Sequence, residues 1–179
     1  MWKHFNVLNG VRVLMHPAIV VSAILAAWKW GDWRNFQKYY PTMLYVLSIS
    51  MIYEFLTKDF AIWTFHPDFL FNQAIVVLLH AVISVPFTIF IFLSRYPTEG
   101  AKIFFHYLIW IGIYIGAEEI LSVTRRITYE HGWSLWSSLV FDCIMFPMIR
   151  LHYKKPIIAW IFTFPIVIAY MFIFKVPIK

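Results

Sequence analysis

The sequence contains six apolar runs, each long enough to cross a lipid bilayer as a helix, and they account for most of its 179 residues. A hydrocarbon core of ~30 Å needs about 20 helical residues. The runs are continuous rather than alternating, which disfavours a barrel, and backbone groups in lipid must pair within their own segment. We therefore predict an all-α fold: a single-domain polytopic transmembrane bundle over residues 1–179. Its predicted spans are 11–28, 41–56, 70–93, 103–121, 133–149 and 157–174.

The composition narrows the class of protein. The chain is 61% hydrophobic and 13% charged, whereas soluble domains carry about 25% charged residues. The net charge is +6, but long apolar runs separate the basic residues, so no stripe could follow a phosphate backbone and we predict no nucleic-acid partner. The one cysteine, Cys143, lies inside a span. No glycine-rich phosphate loop and no metal-binding histidine motif is present, so we predict no cofactor and no metal.

The loops between the spans suggest an orientation. We call end A the side with both termini and the loops after spans 2 and 4, and end B the side with the loops after spans 1, 3 and 5. Lysine and arginine are nearly balanced, with seven at end A and eight at end B. The loops of end B are shorter, which favours end B as cytoplasmic and both termini as outside. The predicted partner is the lipid bilayer, together with a small-molecule or lipid ligand; the oligomeric state is open.

A few ionisable residues fall inside the spans, where a charge at the bilayer centre costs about 2.5–3.5 kcal/mol. Such groups must pair, take up a proton or face water. Threading places most of them near end A, which predicts a polar pocket that opens there and narrows inward. The predicted pocket residues are Glu54, His80, Glu118, Glu119 and Asp142. The predicted rim residues are Arg125, Arg126, Trp63 and His66.

Helical spacing predicts which way some of these residues point. Gly112, Gly116 and Glu119 share one face of span 4, and small residues at that spacing allow close helix packing, so we expect Glu119 to point inward. Simpler roles remain open. Glu54 can pair with Lys58 one turn later, the two span 4 glutamates can balance the rim arginines, and His80 can be a neutral histidine bonded to another helix. Asp68 is predicted to cap the third span.

Several loop and span-end motifs carry a family resemblance, covering about residues 55–160. They are Leu56-Thr57-Lys58-Asp59, Trp63-Thr64-Phe65-His66-Pro67-Asp68, Tyr96-Pro97, Tyr129-Glu130-His131-Gly132-Trp133 and Arg150-Leu151-His152-Tyr153-Lys154-Lys155-Pro156 with Ala159-Trp160. With these motifs the chain resembles a family of small multispanning membrane proteins of spore-forming Firmicutes. The resemblance implies a helical protein of a bacterial plasma membrane and supplies no activity.

Three functions fit the acids and histidines. The first is binding or transport of a small solute, ion or proton through the acid and histidine cluster, because ionisable groups within a membrane often mark such pathways. The second is a membrane enzyme acting on a lipophilic, isoprenoid-like substrate, with Glu119 or Asp142 as general acid and His80 or Glu54 as base. The third is a structural scaffold in which the polar groups only hold helices together.

Overall fold

A computed structural model describes residues 14–68 and 70–177, and these are predominantly helical. The six long helices are α1 (Met15–Trp30), α2 (Phe36–Leu56), α3 (Gln73–Ser94), α4 (Gly100–Val123), α5 (Leu135–Lys154) and α6 (Pro156–Ile173). The all-α prediction is confirmed, and every predicted span coincides with one helix over most of its length. Residues 11–13 of the first predicted span lie outside the described residues.

A short β-ribbon joins two of the loops at end A. Strand β1 (Trp63–Phe65) follows α2 and strand β2 (Ile127–Tyr129) follows α4, and the two pair antiparallel. Trp63 lies opposite Tyr129 and Phe65 lies opposite Ile127. Because side chains alternate along a strand, these four project from one face of the ribbon. The sequence analysis did not predict the ribbon, which places the loops after α2 and α4 at the same end.

Contacts at the opposite end bring the remaining loops together. The Nε of Arg95, after α3, donates to the backbone carbonyl of Trp30 at the end of α1, at 2.9 Å. The guanidinium of Arg150, late in α5, lies 3.9 Å from the ring centre of Tyr96. The ribbon joins the loops after α2 and α4 at end A, and these contacts join the ends of α1, α3 and α5 at end B. Consecutive helices therefore run in opposite directions.

Helix α3 is the central element of the first half of the bundle. It packs against both α1 and α2, while α5 packs against α2, α4 and α6. Phe90 and Phe92 of α3 are fully buried. Gly31, just after α1, is required by this packing, because a Cβ there would lie only 2.2 Å from the Phe90 ring. A fully buried ring has no room to move aside, so the close approach of α1 to α3 depends on glycine.

A wide π-helical turn interrupts α3 over His80–Ser84. The N–H of Val85 bonds the carbonyl of His80, five residues earlier. Pro86, which follows at once, has no N–H and its ring opposes an ordinary α-turn before it. Local widening is a common way to accommodate such a conflict, and wide turns are frequent at functional sites. Here the turn begins at the one histidine of α3.

Three of the six helices are long and apolar enough to cross a membrane, judged by length and composition. They are α3, α4 and α6, with mean hydropathies of 2.6, 1.3 and 2.2. Helix α1 has only 16 residues, and α2 and α5 carry more polar side chains, including Tyr45 and Asp142, which are buried among the other helices. The prediction that the chain contains helices able to cross a membrane is confirmed for these three helices.

Candidate functional site: two polar clusters at end A

The first polar cluster, which we call the histidine cluster, contains His16, His66, Asp68, His80 and Arg126. His16, at the start of α1, is fully buried. Its Nδ1 lies 3.0 Å from Nε2 of His80, and its Nε2 lies 3.0 Å from the backbone carbonyl oxygen of His66. The ring of Phe65 stacks on His80 with its centre 4.8 Å away. One histidine thus connects α1 both to α3 and to the loop after the ribbon strand β1.

Hydrogen-bond chemistry fixes the tautomers of the two buried imidazoles in their neutral forms. A carbonyl oxygen can only accept, so His16 Nε2 carries a hydrogen and donates to His66. In a neutral imidazole the other nitrogen is then an acceptor. His80 Nε2 therefore carries the single hydrogen between the rings and donates it to His16 Nδ1. Both nitrogens of His16 are satisfied without a net charge, as the burial of this ring requires.

Asp68 caps α1 and supplies the charge partner of the histidine cluster. Its Oδ2 accepts the backbone N–H of His16 at 2.9 Å, one of the N–H groups that a helix N-terminus leaves unpaired. Its Oδ1 lies 3.3 Å from Arg126 Nε. The prediction that Asp68 caps the third span is wrong, because the side chain of Asn72 accepts from Ile75 N and caps α3. The carboxylate instead stabilises the positive end of the α1 dipole.

Arg126 and His66, two predicted rim residues, hold the ribbon loops together. The Nη1 of Arg126 donates to the carbonyl of Pro67 at 2.9 Å, and the carbonyl of Arg126 accepts from the N–H of His66. The side chain of His66 reaches Thr128 of β2, with 2.8 Å between Nε2 and Oγ1. The loops after α2 and α4 therefore both form hydrogen bonds within the histidine cluster, and Asp68 has Arg126 as its charge partner.

The second cluster, which we call the acid cluster, contains Glu118, Tyr129, Trp133, Ser138 and Asp142. Glu118 of α4 accepts a hydrogen bond from the Tyr129 hydroxyl at 2.8 Å and another from the Ser138 hydroxyl. The indole Nε1 of Trp133 donates to the same serine oxygen at 2.8 Å. Burial and the neighbouring Glu118 carboxylate raise the pKa of Tyr129, so its hydroxyl stays protonated and donates. These bonds join α4, the ribbon and the start of α5.

Asp142 lies one turn after Ser138 on the same face of α5 and is the least compensated acid of the described residues. It is 5% exposed, and its Oδ2 has no hydrogen-bond partner among residues 14–68 and 70–177. No described ion pair includes Asp142 or Glu118. The hydroxyl of Tyr170, within electrostatic range of Asp142, is also buried and unpartnered in the described part of the chain. Two acids thus share a cluster that contains no basic side chain.

The structure brings some of the predicted pocket residues together and separates others. Glu118 and Asp142 share the acid cluster, while His80 belongs to the histidine cluster. Trp63 lies on the inward face of the ribbon, stacked on Tyr53 with 5.1 Å between ring centres. Glu54 is half-buried, and within the described ranges it forms no ion pair with Lys58 or any other residue.

The predicted orientation of Glu119 is wrong. Glu119 is exposed on the outer surface of α4, as are Gly112 and Gly116 on the same face. A Cβ built at either glycine would meet no atom of the described structure within 4 Å, so this face packs against no described helix. The inward face of α4 instead presents Trp110, Tyr114 and Glu118. Arg125, a predicted rim residue, is exposed as well.

The central residue of the histidine cluster, His16, is not among the predicted pocket or rim residues. His16 stands at the start of the first apolar run, next to Pro17, and its partners lie 50 to 64 positions later in the chain. Spacing within one helix cannot reveal such partners. The available signal was energetic, because an imidazole at the start of an apolar helix needs partners for both nitrogens if it is buried.

Among residues 14–68 and 70–177, no group of three or more histidine, cysteine, aspartate or glutamate side chains is arranged to hold a metal ion. Comparison with known proteins gives no family model, no curated protein and no solved structure that matches this chain. The resemblance to the Firmicutes family therefore stays a prediction, and the functional argument depends on the two clusters.

Proposed function

We propose that this chain is an integral membrane protein whose six helices all cross the bilayer. The exposed surfaces of α4 and α6 support this, because they present large apolar side chains along their length. Examples are Phe104 (61% exposed), Ile161 (62%) and Phe172 (71%). Contiguous apolar surface of this extent is unfavourable in water and matches lipid contact. The alternating direction of the helices supports six crossings, and α1 and α5 also expose apolar side chains, such as Leu25 (55%) and Val140 (56%).

The distribution of charge supports an orientation. End B carries eight basic residues and end A seven, and those of end B are concentrated in shorter loops. An excess of lysine and arginine in short loops marks the cytoplasmic side of a membrane protein. We therefore place end B in the cytoplasm and both termini outside, in a bacterial plasma membrane as the family resemblance implies.

Within this membrane protein, we propose that the acid cluster binds a proton or a small monovalent cation and passes it across the membrane. The observation that carries this is Asp142, a buried carboxyl group without a basic partner and one turn from a serine bonded to Glu118. A buried acid close to a second, half-buried acid needs a positive charge or a proton to offset desolvation and mutual repulsion. In a membrane, acids of this kind commonly belong to ion and proton pathways.

The alternative of an acid–base enzyme has less support. It assigns His80 or Glu54 as the base and Glu119 or Asp142 as the acid. In the structure His80 donates to His16 and stacks on Phe65, and it makes no described hydrogen bond to any of the four predicted acids. Glu119 faces outward. The scaffold alternative accounts for the histidine cluster, in which the buried imidazole bonds are complementary, but it leaves the unpaired Asp142 without a role.

Reconstitution into liposomes tests the transport proposal. A K⁺ diffusion potential is imposed, a trapped pH-sensitive dye reports proton entry, and labelled Na⁺ or Rb⁺ reports cation entry. We expect flux with the wild-type chain and loss of at least about tenfold with Asp142→Asn, because the amide cannot exchange a proton or carry negative charge. Glu118→Gln is expected to reduce flux as well.

Glu130→Gln is the matched control, because Glu130 is an exposed acid at the same end of the molecule. It is expected to retain wild-type flux. Thermal unfolding in detergent checks that each variant is folded. Equal flux in Asp142→Asn and wild type would exclude the acid cluster as the pathway, and absence of flux in the wild type would favour the scaffold.

A further inference from the structure

The cytoplasmic end contains an arginine that is held on aromatic rings without an acidic partner. The guanidinium of Arg150 lies 3.9 Å from the ring centre of Tyr96 and 5.2 Å from that of Tyr153. Arg150 is half-buried and belongs to none of the ion pairs of residues 14–68 and 70–177. Stacking on a ring uses the face of the guanidinium and leaves the N–H groups in its plane available.

The rings below Arg150 are themselves fixed. Tyr153 stacks on Tyr39 with 5.6 Å between ring centres, and the Tyr96 hydroxyl donates to Tyr107 at 3.1 Å. The nearby acid, Asp32, accepts hydrogen bonds from Asn35 and from the Tyr39 hydroxyl. Rings held in this way restrict the arginine, so less side-chain entropy is lost when an anion binds to it.

The surroundings of Arg150 select for negative charge at headgroup depth. Lys154 and Lys155 follow on exposed positions at the end of α5. The same end of the molecule carries three exposed tryptophans, Trp28, Trp30 and Trp33. Tryptophan at helix ends is typical of the membrane interface, and clustered basic residues beside a span are attracted to anionic lipids.

We propose that Arg150, which lies over the rings of Tyr96 and Tyr153, binds the phosphate of an anionic phospholipid headgroup in the cytoplasmic leaflet. The planar N–H groups of the guanidinium donate to two phosphate oxygens, and the two lysines supply further positive charge. This inference depends on the membrane location proposed above and not on transport through the acid cluster. Its residues all lie at end B, away from Glu118 and Asp142.

The test measures lipid binding to the purified full-length chain in a neutral detergent. Dioleoyl phosphatidylglycerol is compared with dioleoyl phosphatidylcholine and with inorganic phosphate, using native mass spectrometry and thermal unfolding. We expect phosphatidylglycerol to remain bound and to raise the unfolding temperature. Arg150→Gln should weaken this binding about tenfold, because it removes the charged, two-pronged donor.

Two further variants separate the specific contribution of Arg150 from that of net positive charge. Lys38→Gln removes one exposed positive charge at the same end and should bind phosphatidylglycerol like the wild type. Arg150→Lys keeps the charge but loses the planar donor and should bind more weakly than the wild type, which separates geometry from net charge. Wild-type-like binding by Arg150→Gln, or equal binding of both lipids, would overturn the proposal. An equal thermal shift with inorganic phosphate would overturn the assignment to a lipid.

The lipid result and the flux result are independent. Loss of phosphatidylglycerol binding in Arg150→Gln with normal flux supports the headgroup site alone. Loss of flux in Asp142→Asn with normal lipid binding supports the acid cluster alone.

Discussion

The two polar clusters lie at the same end of the molecule and contact the same face of the β-ribbon, yet they differ in how their charge is balanced. Phe65 of the ribbon stacks on His80 of the histidine cluster, and Tyr129 donates to Glu118 of the acid cluster. In the histidine cluster the single carboxylate, Asp68, has Arg126 as a partner. In the acid cluster Glu118 accepts from two hydroxyl groups and Asp142 Oδ2 has no hydrogen-bond partner, and no ion pair of residues 14–68 and 70–177 includes either acid.

This difference in charge balance supports a structural role for the histidine cluster and the proposed binding role for the acid cluster. Neutral imidazoles with assigned donors and acceptors, and a capped helix end, stabilise one arrangement of α1, α3 and two loops. A buried acid without a compensating charge is costly, and a protein keeps such a group where a ligand or proton supplies the charge. We therefore treat the histidine cluster as a clamp between helices and the acid cluster as the candidate ion site.

The largest expected effect follows from removing the arginine of the histidine cluster. Arg126→Ala leaves the fully buried Asp68 side chain without its cation, and breaking a buried pair in this way costs about 3–5 kcal/mol. The free energy of unfolding in detergent should fall by that amount. Arg125→Ala, one position earlier and exposed, should change it by less than about 0.5 kcal/mol. Similar values for both variants would contradict the clamp.

Replacing His80 should test the assigned direction of its hydrogen bond. His80→Ala removes the donor to His16 Nδ1 and the stacking on Phe65, with an expected loss of about 2–3 kcal/mol. His80→Gln keeps an N–H donor and should recover roughly half of that loss. If His80→Gln is as destabilised as His80→Ala in thermal unfolding, His80 is not the donor.

In the acid cluster we expect substitution to leave the free energy of unfolding unchanged or to raise it, in contrast to the losses expected in the histidine cluster. Asp142→Asn removes a buried carboxyl group whose charged form has no compensating cation among the described residues, and it should leave the free energy of unfolding at neutral pH unchanged or raise it by about 1–2 kcal/mol. Chemical unfolding in detergent provides the measurement. A loss of more than about 1 kcal/mol would mean that the carboxylate has a stabilising partner, and the contrast between the clusters would disappear.

The sequence predicted the helices well because long apolar runs have few other solutions. It predicted site residues only where the evidence lay within one helix or one apolar run. Asp142 is predicted as a pocket residue because it is an acid within an apolar run, and the structure buries it in the acid cluster. The pairing of His16 with His80 crosses 64 positions, and no periodicity within a helix carries that information. The ribbon was missed for a related reason, since strands of three residues show no period.

The orientation of Glu119 shows where a local rule gave the wrong result. The spacing of Gly112 and Gly116 predicts close helix packing on their face of α4. In α4 the larger side chains on the opposite face, Trp110 and Tyr114, meet Phe146 of α5 instead, with ring centres 6.4 and 5.1 Å away. Aromatic side chains bury more area than a glycine groove offers, so they decided which face of α4 turned inward.

The smallest expected effect concerns the ribbon contact of the histidine cluster. Thr128 and Thr64 are cross-strand partners, both half-buried, and of their two side chains only that of Thr128 has a described hydrogen bond, to His66. Valine preserves the shape and β-branching of threonine, so the substitution removes little more than the hydroxyl. Thr128→Val should therefore cost about 0.5–1 kcal/mol in unfolding free energy, and Thr64→Val should cost less. Equal costs would show that the His66 side chain adds nothing to the clamp, and its stability would then come from Asp68, Arg126 and the imidazole pair alone.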